Sequence, residues 1–159
     1  MTRPILRDAV PGDEALVAGF VRALAEYEKL AHEAVAAPED FRRALFDSPP
    51  RCHAMFAEVA GEAVGFALWF YNFSTFTGRS GLYVEDVFVR PPHRGQGIGL
   101  ALFRGLAARA VAEGCGRMEW AVLDWNAPAV GFYRRIGARA LDGWTRQRLS
   151  GDALAALAA

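Results

Sequence analysis

The stretch from Leu82 to Gly99 reads LYVEDVFVRPPHRGQGIG and is the most informative part of the chain. It begins as an apolar strand and continues into a turn with glycines at positions 95, 97 and 99. Helical spacing of apolar residues predicts a long helix over 97–113, directly after this turn. Glycines leave the first amide N–H groups of such a helix unobstructed, and these groups and the helix dipole together form a pocket for phosphate oxygens. The stretch therefore predicts an anion-binding turn between a buried strand and a helix.

Two common nucleotide-binding motifs do not fit this turn. The dinucleotide fingerprint GxGxxG requires a small residue at position 100, where the chain has Leu100. A P-loop requires a lysine beside its glycines, and Lys29 is the single lysine of the sequence. The turn therefore belongs to another class of phosphate-binding protein.

Composition and charge restrict the function further. The 159 residues are 53% apolar and 23% charged, so we expect a single globular domain over residues 1–159. Eighteen basic and eighteen acidic residues cancel, which argues against a nucleic-acid partner. The sequence has neither a signal-peptide pattern nor an uncharged run of about 20 residues, so we expect no membrane partner. Cys52 and Cys115 have no paired spacing, which indicates neither disulfides nor a metal site and favours the cytoplasm.

The remaining sequence predicts strands and helices around this central stretch. The predicted elements are a strand at 5–7, a helix over 12–29, a helix from 38 to the Pro49-Pro50 stop, and strands over 52–59, 63–71 and 82–89, followed after the long helix by a strand over 117–123, a helix over 127–137, a strand over 144–149 and a short helix over 152–159. This order is typical of an α/β domain whose central strands are antiparallel neighbours.

A second motif lies downstream, where residues 123–138 read LDWNAPAVGFYRRIGA. The pattern Arg94-x-x-Gly97-x-Gly99 after a strand, followed by this asparagine and tyrosine helix, resembles the GCN5-related N-acetyltransferase (GNAT) superfamily. The resemblance implies a mixed, mostly antiparallel twisted sheet flanked by helices, in which the fourth and fifth strands splay apart around pantetheine. It also implies acetyl-CoA as cosubstrate without a metal, and these cofactor-binding residues: Val87, Phe88, Val89, Arg94, Gly95, Gln96, Gly97, Ile98, Gly99, Asn126, Phe132, Tyr133 and Arg134.

Shorter matches resemble the diamine or spermidine/spermine N-acetyltransferase branch of this superfamily. They are Tyr27-Glu28, the Leu82-Tyr-x-Glu85-Asp86 strand and the Asp124-Trp-Asn126 segment. The resemblance implies a homodimer that acetylates a primary amine of a small diamine, polyamine or thialysine-like amino acid. The loop over 72–78 has no acidic residue, which favours short diamines over long polycations. The substrate-binding residues predicted in this way are Tyr27, Glu28, Phe76, Glu85 and Asp86.

Elementary chemistry gives two of these residues catalytic roles. A primary amine has a pKa of about 10.4, so its ammonium must lose a proton before it attacks a thioester. We predict that Glu85 is the base and that Tyr133 protonates the departing thiolate, while a main-chain amide near Phe88 holds the oxyanion. In a regular strand the side chains of Glu85 and Asp86 point to opposite faces. Neither cysteine lies in these motifs, which favours direct transfer without an acetyl-enzyme.

Two other functions stay open on the sequence alone. The same chemistry can act on a protein N-terminus, an amino acid or an antibiotic. A second possibility, of another class, is a catalytically silent acyl-CoA-binding module. The presence of both Glu85 and Tyr133 argues against the silent module.

Overall fold

Five strands form one sheet in the computed structural model, which describes residues 3–159. The sheet has the order β1-β2-β3-β4-β5, in which the first four strands are antiparallel neighbours and β5 runs parallel to β4. The predicted mixed, mostly antiparallel sheet is therefore confirmed. The strands are β1 (Ile5–Asp8), β2 (His53–Val59), β3 (Glu62–Ser74), β4 (Arg79–Val89) and β5 (Met118–Glu119).

Five α-helices accompany the sheet, with ends that differ from the predicted ends by at most two residues. They are α1 (Glu14–Tyr27), α2 (Pro38–Phe46), α3 (Ile98–Ala112), α4 (Ala127–Arg135) and α5 (Gly151–Ala158). Among the described residues, no helix is both long and apolar enough to cross a bilayer.

Local sequence explains where the helices that frame the site begin. Helix α2 starts at Pro38, whose fixed φ suits a first helical position and whose missing N–H costs nothing there. The Asp40 carboxylate accepts a hydrogen bond from the Ala37 N–H at 2.8 Å. Helix α3 starts after Gly97, whose φ of +81° lies in the left-handed region that favours glycine.

Two apolar cores lie on opposite faces of the sheet. One joins the sheet to α3, and the other joins it to α1 and α2. The α3 core includes Met55, Trp69, Leu82, Val84, Leu102 and Leu106, and the α1/α2 core includes Val17, Phe20, Phe56, Phe66, Leu68 and Phe88.

A β-bulge interrupts β4 at Glu85. Leu68 pairs with Asp86 while the next residue of β3, Trp69, pairs with Val84, so Glu85 is the extra residue. Val84 lies in the α3 core, and after the bulge Val87 packs against the same core. In a regular strand, two residues of one face are separated by an even number of positions, but Val84 and Val87 are three apart. The alternation is therefore broken between them, and the expectation that Glu85 and Asp86 point to opposite faces of a regular strand is wrong.

Two predicted strands differ from the structure. The strand expected over 117–123 contains two paired residues, since Leu82 pairs with Met118 and Tyr83 with Glu119. The segment over 144–149 is not a strand, and its residues are exposed. A sequence pattern can favour an extended backbone, but a strand also needs a neighbour to satisfy its N–H and C=O groups.

The chain divides into two compact units, one that ends at Ala121 and one that spans Val122–Ala159. The second unit contains α4 and α5. Helix α4 is closed by Gly137, which has a φ of +93° and donates its N–H to the Arg134 carbonyl at 3.0 Å. The Ala138 N–H donates to the carbonyl of Tyr133, also at 3.0 Å. This is the usual way in which a glycine satisfies the last carbonyls of a helix.

Candidate active site

Three predicted carboxylates, from Glu28, Glu85 and Asp86, form an acidic cluster in the first unit. Glu28 directly follows α1, and the other two lie at the bulge of β4. Glu85 is exposed, whereas Asp86 is half-buried, because alternation after the bulge puts it on the face of the α1/α2 core with Phe88. The bulge thus directs the second of two adjacent acids toward the end of α1.

Burial and mutual repulsion change the protonation of this cluster. Burial, with further contributions from the charges of Glu85 and Glu28, raises the pKa of Asp86 to about 7. Burial also raises the pKa of Glu28. A carboxyl group with a pKa near neutrality can accept a proton at physiological pH and release it again, which general acid–base chemistry requires.

Cys52 is a neighbour of this cluster that the sequence analysis did not assign to it. Burial raises the pKa of the Cys52 thiol, and the charge of Asp86 raises it further. The thiol is therefore held in its protonated, weakly nucleophilic form. A cysteine at the start of β2 carried no sequence signal for this position, because the pairing of β2, β3 and β4 brings it there.

Aromatic rings connect the acidic cluster to the glycine turn. The rings of Tyr27 and Phe88 meet edge to face, with centroids 6.4 Å apart. The Arg94 guanidinium carbon lies 4.7 Å from the Tyr27 ring centroid and 5.2 Å from that of Phe88. Since Tyr27 precedes Glu28, these contacts bring the amine-binding residues predicted on α1 next to the first residue of the turn.

Two residues of the glycine turn adopt the left-handed backbone conformation that favours glycine. Gly95 and Gly97 both have a positive φ, of +75° and +81°. A Cβ atom built on either glycine would meet no other atom within 4 Å, so the space beside the turn is open. The first N–H groups of α3 have no carbonyl partner within the helix, and they border this space.

The edge of β4 beside the turn is also open. The ladder between β4 and β5 ends at Tyr83 and Glu119, and among residues 3–159 no further pair extends it. Val87, Phe88 and Val89 continue β4 beyond that point and pair with β3 on the other side. The β5 ladder therefore does not reach this part of β4, in agreement with the predicted splaying of these two strands, and the Val89 carbonyl accepts a hydrogen bond from the Arg94 Nε–H at 2.9 Å.

The remaining predicted cofactor-binding residues are described within the second unit. Asn126 is the residue before α4, and its carbonyl accepts a hydrogen bond from the Val130 N–H at 3.1 Å. The rings of Phe132 and Tyr133 on α4 lie 5.7 Å apart, and Arg134 follows them. All of these residues belong to the second unit.

Phe76 is not brought to the acidic cluster. It lies in the turn between β3 and β4 and is fully exposed. Because a strand rises about 3.3 Å per residue, roughly 23 Å of β4 separates Arg79, next to this turn, from Asp86. The structure of this chain therefore gives Phe76 no contact with the other predicted substrate-binding residues.

The sequence of this chain matches the model of a known protein family. The model of the acetyltransferase (GNAT) family matches residues 13–138. The chain belongs to the GNAT acetyltransferases. The family match includes the bulged strand, the glycine turn and α4, so it covers most of the first compact unit and the part of the second up to residue 138.

Individual relatives and one solved structure are similar to this chain over most of its length. The chain is 38% identical over 169 residues to a thialysine N-epsilon-acetyltransferase of Sus scrofa, covering 99% of each protein. It is 28% identical to a human spermidine/spermine N(1)-acetyltransferase-like protein, covering 94% of this chain and 23% of that one. Among solved structures, an integron cassette protein from V. cholerae superposes with a TM-score of 0.81 at 26% identity, covering 99% of each chain.

These matches confirm the predicted GNAT fold and the predicted diamine and polyamine branch. They also confirm that the protein is an N-acetyltransferase, and the GNAT acetyltransferases use acetyl-CoA as cosubstrate.

Proposed function

We propose that this GNAT protein transfers an acetyl group to one amine of a short diamine or a thialysine-like amino acid. The observation that carries the proposal is the cluster of Glu28, Glu85 and Asp86 beside the glycine turn. A molecule with two positive groups can present one ammonium to a base while a second carboxylate holds the other. The similarity to a thialysine N-epsilon-acetyltransferase supports the same substrate class.

The glycine turn fits the cosubstrate acetyl-CoA. Acetyl-CoA supplies an activated acetyl thioester and carries a pyrophosphate. The open space beside Gly95 and Gly97 supports placing that pyrophosphate on the main-chain amides of residues 95–99, in the turn and the first residues of α3. We propose that the open main-chain edge at residues 87–89 holds the pantetheine arm. Asn126, Phe132, Tyr133 and Arg134 complete the proposed cofactor-binding set.

The adjacent acids Glu85 and Asp86 are proposed to deprotonate the incoming ammonium as a pair. The pKa of Asp86 is raised to about 7 by burial and by the charges of Glu85 and Glu28, so this carboxylate can hold a proton near neutral pH. We propose that Asp86 takes the proton and that the exposed Glu85 receives the ammonium. That Glu85 is itself the base stays a prediction from the sequence. The pH dependence of kcat/KM in Asp86→Asn and Glu85→Gln distinguishes the two assignments.

Direct transfer is the proposed course of the reaction. The raised pKa of the Cys52 thiol disfavours a thiolate nucleophile beside the acids. The freed amine would attack the thioester, and an N–H of the main chain near Phe88 would stabilise the oxyanion. On the family resemblance, we propose that the Tyr133 hydroxyl then donates a proton to the departing thiolate.

A panel of amines tests this function by measuring thiol release from acetyl-CoA. We expect L-thialysine, ornithine and 1,5-diaminopentane to exceed n-pentylamine in kcat/KM by at least about 10-fold, because a second charge-assisted hydrogen bond contributes roughly 1.5–3 kcal/mol. Equal kcat/KM values for monoamine and diamines would contradict the proposal. Turnover of a peptide N-terminus or an aminoglycoside alone would assign the protein to another substrate class.

Glu28→Gln tests the residue that holds the second positive group. This variant should lose most of the preference for diamines, because its amide cannot form the ion pair. Glu26→Gln is the matched control, since Glu26 is an exposed residue one position before Tyr27. The control should keep the wild-type ratio of diamine to monoamine turnover.

Gly97→Val tests the phosphate-binding turn. We expect the Kd of acetyl-CoA, measured by calorimetry, to rise at least about 10-fold, because the side chain would enter the proposed phosphate space and a β-branched residue is strained at positive φ. Gly114→Val is a matched control, because Gly114 also has a positive φ (+73°) and an open Cβ position but follows the other end of α3. A folded Gly97→Val protein with the affinity of Gly114→Val would remove the turn from cofactor binding.

Assembly and location complete the proposal. We propose that residues 1–159 act as one catalytic domain and form a homodimer, in which the exposed segment over 144–149 is available for contact between copies. The exposed Trp144 supports such a contact, and light scattering measures the assembly directly.

The two free cysteines and the zero net charge support a cytoplasmic enzyme with neither a nucleic-acid nor a membrane partner.

A further inference from the structure

Arg94 opens the glycine turn, but its side chain is directed back into the protein. Its Nε–H donates to the Val89 carbonyl at 2.9 Å, and its main-chain N–H donates to the Pro91 carbonyl at 3.2 Å. The guanidinium carbon is 4.7 Å from the centroid of the Tyr27 ring and 5.2 Å from that of Phe88. Arg94 therefore directs its planar group onto two aromatic rings and two of its donors onto protein carbonyls.

The two rings belong to the elements that carry the acidic cluster. Tyr27 ends α1 and is followed by Glu28, while Phe88 lies two positions after Asp86 on β4. Their edge-to-face contact and the guanidinium above them connect the end of the helix to the strand. The separation between Glu28 and the bulge acids therefore depends on a contact made by the first residue of the cofactor turn.

We infer that Arg94 is a positioning residue for the amine, acting through Tyr27, and that its guanidinium is not a ligand of the cofactor phosphates. The inference deepens the proposed function, on which its substrate readout rests. A guanidinium that binds pyrophosphate would set the affinity for coenzyme A. One that holds Tyr27 in place sets the affinity for the amine.

Arg94→Lys separates these roles, because lysine keeps the positive charge but loses the planar group and the Nε donor. We expect the KM for L-thialysine to rise about 3- to 5-fold, the size of effect that loss of an exposed cation–π contact produces. The Kd of coenzyme A, measured by calorimetry, should change by less than about 3-fold, since the guanidinium that is lost does not contact the phosphates. Loss of a bidentate arginine–phosphate contact would weaken coenzyme A binding further than that.

Arg90→Lys is the matched control. The Arg90 guanidinium carbon lies 4.4 Å from the ring centroid of Phe20, and its Nε–H donates to the Ala63 carbonyl at 3.4 Å. It therefore has the same kind of contact as Arg94, but toward the apolar core. Both substitutions should lower Tm, whereas the KM for L-thialysine should change in Arg94→Lys alone.

A double-mutant cycle with Tyr27→Leu tests the route of the effect. If Arg94 acts through the Tyr27 ring, Arg94→Lys should add less than about 2-fold to the KM of Tyr27→Leu, because the contact is already lost. Full additivity would overturn the inference. So would a 10-fold weaker Kd of coenzyme A with unchanged KM, or a KM that rises equally in Arg90→Lys.

Failure of the inference can be told from failure of the proposed function. If wild-type protein turns over L-thialysine and Arg94→Lys keeps the wild-type KM, the inference fails and the function stands. If wild type shows no turnover of any diamine, the function fails. The affinity of L-thialysine for the complex with coenzyme A, measured by calorimetry, then tests Arg94 without catalysis, and equal affinity in wild type and Arg94→Lys overturns the inference.

Discussion

Tyr133→Phe is expected to lower kcat for the best amine by about 100-fold or more, with little change in the Kd of acetyl-CoA. The substitution removes one hydroxyl and almost no volume, so it tests proton donation to the leaving thiolate rather than packing. Loss of a general acid typically costs at least about 100-fold in rate. Steady-state thiol release and calorimetry provide the two measurements.

Tyr71→Phe is the control for this prediction. The Tyr71 hydroxyl donates to the Glu113 carboxylate near the end of α3 and accepts from the Trp69 Nε1–H at 3.3 Å. Its removal should leave kcat within about 2-fold of wild type, as is usual for a hydroxyl outside an active site. Near-wild-type turnover by Tyr133→Phe would exclude Tyr133 as the acid, whatever the control does.

Asp86→Asn should lower kcat/KM at pH 7.5 by about 100-fold and change the shape of the pH profile. In the wild type, kcat/KM should rise with pH to an inflection at about 7, where the free enzyme loses the proton held by Asp86. Without this base, the inflection near 7 should disappear. The rate should instead continue to climb toward the amine pKa of about 10.4, because free amine becomes abundant.

Thermal unfolding checks that Asp86→Asn is folded, and the sign of its effect follows from the same pKa. The folded state raises the pKa of Asp86 from 3.8 to about 7, so it holds a proton that the unfolded chain releases. The stability that this carboxyl contributes is fully present below pH 3.8 and is lost as pH rises through 7. Asp86→Asn should therefore match or exceed the wild-type Tm at pH 8, and the difference should be smaller at pH 5.

Glu85→Gln distinguishes the two carboxylates. Removal of its charge should lower the pKa of Asp86, since that charge helps to raise it. The inflection in kcat/KM should then move to lower pH and persist. If Asp86→Asn keeps the inflection and Glu85→Gln abolishes it, the base is Glu85, and the assignment to Asp86 is wrong.

Much of the fold was predictable from residue spacing, because the elements that form it are locally encoded. The apolar rows of α1 and α3, the Pro38 start and the alternation in β2 and β3 each specify their element. The glycine turn was also predictable, since Gly95 and Gly97 lie between the apolar strand and the apolar row of α3. The strand over 144–149 was not, because strand formation depends on a neighbour that local sequence does not identify.

The candidate site was predictable in its residues but not in its arrangement. Adjacent acids in an apolar strand identify Glu85 and Asp86, yet nothing in their sequence indicates the bulge. The approach of Cys52 to Asp86 depends on the pairing of three strands. The direction of the Arg94 side chain depends on where α1 ends, so the sequence could select the residue but could not tell that its guanidinium contacts Tyr27.

The extra residue in β4 makes the length of this strand as restrictive as its composition. Val84 and Val87 both face the α3 core although three positions, rather than an even number, separate them, because the bulge adds one residue between them. Shortening the strand by one residue at Glu85 would restore regular alternation, but it would leave a single acid between the two valines, so the site would lose half of its carboxylate pair. The fold should therefore tolerate substitutions at positions 85 and 86 better than the insertion or deletion of a residue there.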